Sequence, residues 1–195
     1  MTAAPALARL HAPAIPVIPD DGSSRAAGPG AAAPHESLSR GLDVLRGRLD
    51  GRTRLQHGVD LLPLLVDGCH HASATTPDHP GSRTGTATDA VASRADTLQD
   101  ELSEGPGLHA LRTGHSVLSH DLHVEDRWPH WCHRTRTELG LGAALSVLLT
   151  LDQQPLGTLT LYGDGPGGLS DVDLGLLHTL AGPLAGALAA VRAGR

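Results

Sequence analysis

Apolar positions recur at helical spacing in three places along the chain. Leu38, Leu42, Leu45 and Leu49 stand four, three and four residues apart, with Arg and Asp on the opposite face, which predicts a helix over 36–50. A second helix is expected over 59–69, with Pro63 tolerated only in its first turn. The third and clearest covers 171–192, with a stripe of Leu177, Leu180, Leu184, Leu188 and Val191. Ser170 and Asp173 have the N-cap and N3 spacing of a capping box. Pro183 interrupts that stripe and is expected to kink the helix, at about 3 kcal/mol unless packing compensates.

Elsewhere the period drops to two. Over 143–151, Leu145, Val147, Leu149 and Leu151 alternate with Ala144, Ser146 and Thr150. After Asp152-Gln153-Gln154-Pro155, read as a four-residue turn, Leu159 and Leu161 alternate with Thr158 and Thr160 over 156–162. Two such runs around a turn predict an antiparallel hairpin. Weaker strands are expected over 72–76, 83–88 and 116–119. Glu104-Gly105-Pro106-Gly107 reads as a turn before a short helix over 108–112, with Pro106 at its first position. Helices and strands in this order predict an α+β fold.

Composition changes this picture at the N-terminus. Residues 1–34 hold eleven Ala, six Pro and three Gly, too little large apolar surface to offset ordering entropy, so a disordered tail is expected there. Pro13, Pro16 and Pro19 break up its apolar stretch and argue against a signal peptide. The remaining organisation is read as a helix and linker over 35–56 and a folded domain over 57–195. The chain has 195 residues, and all fifteen cations are Arg; Lys, Asn and Phe are missing. These omissions follow GC-rich coding rather than function.

Net charge is −6, divided as +2 over 1–56 (seven Arg, five acids) and −8 over 57–195 (eight Arg, sixteen acids). A domain at −8 repels phosphate backbones, so no nucleic-acid binding is expected. The three aromatic residues, Trp128, Trp131 and Tyr162, are also too few for a stacking platform. No membrane span is expected, since no apolar run is read as approaching about 18–20 residues. Two cysteines, Cys69 and Cys132, make no disulfide framework and point to a cytoplasmic location.

The run Leu98-Gln99-Asp100-Glu101-Leu102-Ser103-Glu104-Gly105-Pro106-Gly107-Leu108-His109-Ala110-Leu111-Arg112-Thr113-Gly114 resembles a segment of the actinobacterial GAF domains found in GAF–ANTAR regulators. Asp121-Leu122 and Asp126-Arg127-Trp128-Pro129 are similar to a second stretch of that family, and 141–151 with Leu156-Gly157-Thr158-Leu159-Thr160-Leu161-Tyr162 to its closing hairpin. The resemblance covers roughly 59–192. It implies an antiparallel sheet with the first and last helices on one face and a pocket covered by loops and helices on the other. A sensory role in signal transduction or transcription regulation is implied as well.

The departures carry weight. The Cys that often follows Glu-Gly-Pro in the family is Gly107, and the Asn of its last strand is Thr160. No ANTAR counterpart precedes Arg195, so the RNA-binding half of the family's function is not expected. Without Asn, Lys and Phe, the Asn-Lys-Phe-Asp-Glu signature of cyclic-nucleotide GAF domains is not possible.

Candidate ligand-binding residues are Leu102, Glu104, Gly107, Asp121, Arg127, Trp128 and Trp131. Arg127 has the chemistry to meet an anion or stack on Trp128, and the plainer role is pairing with Glu104, Asp121 or Asp126 to anchor its loop. His120, His123, His130, Cys132 and His133 are borderline-metal ligand types, but their order matches no zinc pattern; they define an alternative, a metal- or haem-dependent redox sensor. Gly163-Asp164-Gly165-Pro166-Gly167-Gly168 lacks the Lys-Ser/Thr of a phosphate loop. The reading that results is a non-enzymatic sensor without a cofactor. Its partner is an unidentified small molecule or signalling protein. Leu38, Leu42, Leu45 and Leu49 are expected to pack with the terminal helix across a homodimer axis.

Overall fold

The computed structural model describes residues 49–79 and 82–194. The tail expected over 1–34 and nearly all of the helix expected over 36–50 lie outside them. Helix α1 (Gly51–Asp60) begins where Asp50 accepts from the Thr53 N–H at 3.0 Å, an N-cap bond. It is followed by α2 (Leu62–Leu65), with Pro63 in the first turn. The helix expected over 59–69 is therefore two shorter ones, because Pro63 lacks the N–H to continue α1 but suits the start of α2. Cys69 consequently lies beyond α2 rather than on a helix.

Then come β1 (His71–His79), β2 (Ser82–Ala87), α3 (Ala90–Leu102), α4 (Pro106–Thr113) and β3 (Val117–Ser119). After them are α5 (Pro129–Leu139), β4 (Ala143–Leu151), β5 (Gln154–Gly163) and α6 (Leu174–Ala193). The five strands form one antiparallel sheet in the order β2-β1-β5-β4-β3. The β4–β5 turn is two residues long, not four: Leu151 pairs with Gln154, and Asp152 and Gln153 take φ of 49° and 64°. Positive φ at both central residues is the backbone of the hairpin turn whose twist matches its strands. Pro155 stands opposite Thr150 inside β5, beside a bulge at Leu149/Thr150.

Strand side chains alternate faces, and here the two faces differ in chemistry. On the rear, Ala72, Ala74, Leu145, Val147, Leu149, Leu159 and Leu161 pack with Leu55 and Val59 of α1 and with α6. All five stripe residues of α6 are buried. Its N-cap is Asp173, whose carboxylate accepts from the N–H groups of Gly175 and Leu176 at 2.8 and 3.2 Å. The capping box expected from Ser170 is not made; Ser170 Oγ lies 3.1 Å from His120 Nδ1. By length and hydropathy α6 alone among the described residues is able to cross a membrane, which amends the sequence expectation. Its leucine stripe is buried on the sheet, the arrangement of a core helix.

The front face carries α3, α4 and α5 over a second cluster, centred on Trp128, Trp131 and Tyr162. Trp131 meets Trp128 edge-on at a centroid distance of 6.1 Å and lies 6.4 Å from the Tyr162 ring. Edge-to-face rings add dispersion and quadrupole attraction to their area burial. The α+β architecture expected from the sequence, with α1 and α6 on one face and the pocket-side elements on the other, is the one found.

Candidate functional site

The front face of the sheet is floored by hydroxyls. Ser73 and Thr75 on β1, Thr158 and Thr160 on β5, and Ser146 on β4 are all buried. Their registers make them neighbours: Ser73 stands opposite Thr160, Thr75 opposite Thr158, and Ser146 opposite Thr160. Ser146 Oγ and Thr160 Oγ1 bond at 3.1 Å. Among the described residues, the hydroxyls of Ser73 and Thr158 make no hydrogen bond. Buried hydroxyls of this kind are unusual because each forfeits its water bonds without replacement.

Helix α3 forms the wall. Its Asp96 accepts from the Tyr162 hydroxyl at 2.6 Å and from Gln99 Nε2 at 3.2 Å. Gln99 Oε1 in turn accepts from the Gly107 N–H at 2.8 Å, docking the start of α4. Gly105, just before α4, has φ +129° and sits against Gln99, so both its backbone and its surroundings require glycine. A Cβ on Gly107 would begin 3.1 Å from Gln99 Oε1 and 3.2 Å from Thr158 Oγ1. That position therefore borders the hydroxyl floor. Between α3 and the outer strands lies a cavity of ≈ 410 Å³, with Thr75, Gly85, Ser93, Asp96, Thr97 and Asp100 in its lining. A second cavity, of ≈ 420 Å³, lies by α6 against Val147, Leu148, His178 and Gly182.

The residues singled out from the sequence have intramolecular partners. Glu104 Oε2 accepts from the N–H groups of His130 and Trp131 at 2.9 and 3.0 Å, and Oε1 lies 2.7 Å from His130 Nδ1. It thereby caps α5 from a distant loop, joining the two recognisable segments. Burial pushes the Glu104 carboxyl up, but the bonds from His130 and Trp131 outweigh it and hold the group below its ordinary value.

Arg127 pairs with Glu125, not with the three acids expected. Its Nε and Nη2 reach Glu125 at 2.8 and 2.5 Å, Nη2 also donates to the Leu118 carbonyl, and Cζ lies 4.5 Å from the Trp128 ring. Glu125 lies two residues away and also takes the Arg127 N–H at 3.0 Å, so the loop closes on itself. These Arg127 bonds hold the Glu125 carboxyl down at about 2.

Trp128 and Trp131 are buried, donating to His109 Nδ1 at 3.2 Å and to the Ala95 carbonyl at 3.0 Å. Asp121 accepts from the His123 N–H at 2.8 Å, and Leu102 packs at the margin of the front cluster. None of the seven lines either cavity; Gly107 borders the floor at Thr158. Sequence reasoning passed over Ser73, Thr75, Asp96, Gln99 and Thr158 as site residues. The signal for Ser73, Thr75 and Thr158 was the alternation of hydroxyls with Ala72, Ala74, Leu159 and Leu161; Asp96 and Gln99, on α3, had no such signal.

The His and Cys residues of the alternative are not brought together. His120 contacts Ser170, His123 contacts Asp121, His130 contacts Glu104, and His133 is exposed. Cys132 is on α5 and buried in the front cluster, because α5 covers that cluster with Trp131 and Cys132 on its inner side. Among the described residues no three His, Cys, Asp or Glu side chains are placed to hold a metal. Cys69 belongs to the rear cluster and Cys132 to the front, with the sheet between them. Burial pushes both thiols up to about 12, away from the thiolate that reacts.

This architecture has known counterparts. A family model described as a GAF domain matches residues 53–189, well over half of the chain, and the chain belongs to the GAF domain family. The GAF domain of an Acinetobacter phosphoenolpyruvate-protein phosphotransferase superposes with a TM-score of 0.59 at 15% identity, covering 85% of this chain and 98% of that one. Free methionine-R-sulfoxide reductase from Neisseria meningitidis, in complex with its substrate, gives 0.60 at 16%, covering 87% and 96%. The chromophore-binding domain of a bacteriophytochrome from R. palustris gives 0.54 at 10%, covering 83% and 63%. At such identities the likeness is one of fold. No curated protein matches the sequence closely enough to count as a relative.

Proposed function

We propose that this GAF domain is a non-enzymatic sensor that takes a small polar molecule at the front of the sheet. The observation that carries the reading is the pair of buried hydroxyls, Ser73 and Thr158, that find no partner among the described residues and lie behind the cavity lining beside Thr75, the floor residue that lines the ≈ 410 Å³ cavity. A ligand bonding to that floor would recover the hydrogen bonds the folded protein leaves unmade. The non-enzymatic reading is supported by two thiols that sit in separate cores with their titration pushed up to about 12.

The resemblance of 98–114 and 126–129 to actinobacterial GAF–ANTAR regulators favours a bacterial signalling or transcription-regulating context, in the cytoplasm, with a signalling protein as output. The charge of −8 over 57–195 disfavours nucleic acid as the partner. The paired helices α1 and α6 are the natural output element. A homodimer is proposed to form through that element, with Leu49, 44% exposed before α1, at its edge.

Native mass spectrometry of the full chain tests these points together. A small organic adduct on a dimer, weakened in Thr158→Val, is the expected result. A stoichiometric metal or haem would favour the redox-sensor alternative. Reduction of free methionine sulfoxide by the purified chain would overturn the non-enzymatic reading.

A further inference from the structure

We propose that His71 is a pH-sensitive latch: its charged imidazole ties the start of α3 to the segment that leaves β5, and loss of the charge releases that segment. His71 is the first residue of β1, opposite Tyr162 in register. Its Nδ1 lies 2.6 Å from Asp89 Oδ2 and its Nε2 3.1 Å from Asp164 Oδ1, with the side chain 19% exposed. Ionised carboxylates only accept. A ring with acceptors at both nitrogens must donate from both, and only the imidazolium does so.

The two carboxylates are not equivalent. Asp89 is committed to the fold: it caps α3 through the Ala92 N–H at 3.0 Å and takes the Thr88 hydroxyl at 3.2 Å. Burial raises the Asp89 carboxyl, but the bonds from His71 and Ala92 outweigh it, so it is held below its ordinary value. Asp164 is looser, with its side chain 56% exposed, and it opens the segment 164–173 that leads to α6. A neutral ring has one N–H to give. It keeps the shorter bond to Asp89 and turns a lone pair toward Asp164, so that contact becomes repulsive.

The other titratable groups around the ring leave this sense unchanged. Cys69, whose thiol donates to the His71 carbonyl, is pushed up to about 12 and stays neutral. Tyr162 turns its hydroxyl to Asp96. Exposed His70 accepts the Asp164 N–H at 3.3 Å through Nδ1, a bond that protonation of His70 would remove. Its effect therefore runs opposite to that of His71, and the two are separable by substitution. The latch closes while Asp89 and Asp164 are ionised and His71 is charged. It opens when the ring loses its second N–H, because a neutral ring cannot donate to both carboxylates. The device is independent of any ligand in the front cavity.

Hydrogen exchange of the full chain, corrected for intrinsic rates, tests the latch between about pH 5 and about pH 8. Protection over 164–172 is expected to fall roughly two- to fivefold across that range, the scale of a partly exposed ion pair, while the β4–β5 hairpin is unchanged. His71→Gln is expected to give the low protection at both ends, and Asp164→Asn, at a half-exposed position that does not threaten folding, to abolish the step. A pH-independent segment in the wild type, or a step that survives in Asp164→Asn, would overturn the proposal. A step that disappears only in His70→Gln, or only in a variant of His120, whose ring meets Ser170, would overturn it as well.

Discussion

The two faces of one sheet make a comparison that neither permits alone. Strand β5 sends Leu159 and Leu161 to the rear and Thr158, Thr160 and Tyr162 to the front. On the rear these leucines meet the stripe of α6, and Thr76, which shares the face of Ala72 and Ala74, is buried with its hydroxyl donated to the Leu156 carbonyl. The front is divided: Trp128 and Trp131 seal one half, while the other holds buried hydroxyls, the Asp96–Gln99–Tyr162 network and an open cavity. Unmade hydroxyl bonds each cost about 1–3 kcal/mol, so stability is not what keeps that half polar. The contrast teaches that this fold draws its cohesion from the rear face and the aromatic seal, which leaves the remaining front surface free for recognition.

Removing the seal should have the largest effect. Trp131→Ala, which empties a fully buried site and frees the Ala95 carbonyl, is expected to lose about 3–5 kcal/mol in urea denaturation. Leu161→Ala on the rear should lose about 2–5 kcal/mol while leaving the affinity for any front-face ligand unchanged among folded molecules. A change in affinity larger than the change in stability would break the division between the faces.

Acid should act on the sealed half through Glu125. Its carboxyl is held at about 2 by Arg127, so its stabilisation is complete above the ordinary carboxylate range and drains away as pH falls toward 2. Glu125→Gln should flatten that part of the stability–pH profile, by at most about 2 kcal/mol because Arg127 is partly exposed. Glu104→Ala removes the cap on α5 and should cost about 1 kcal/mol, read as faster amide exchange at His130 and Trp131.

Much of the rear face was legible in the sequence, because single-period patterns set it. The strand over 143–151 has the expected bounds, and all five stripe positions of α6 are buried. The start of α1 was not legible. Gly51, Arg52 and Arg54 carry no apolar stripe; the helix starts on the Asp50 cap, and Gly51 packs against Ala190 of α6. The hairpin turn was misjudged because Gln154 and Pro155 look like turn residues, while the bulge at Leu149/Thr150 admits them to the strand. On the front, Glu104 of the first motif accepts from the N–H groups of His130 and Trp131, just after the Arg127-Trp128-Pro129 stretch of the second, a cap that no local pattern announced. Thr158 and Thr160 were visible as an alternating pair. Their burial depends on α3 and α4 being docked through Gln99, a tertiary fact that no local pattern encodes.

The smallest expected change is also the most direct test. Thr158→Val keeps the shape of the side chain and removes a buried hydroxyl that has no partner among the described residues. If the front face is kept polar for recognition at the expense of stability, the ligand-free variant should be more stable than the wild type by about 1 kcal/mol in urea denaturation. A loss of about 1 kcal/mol or more would mean that the hydroxyl is satisfied within the fold, and the distinction between the two faces would not stand.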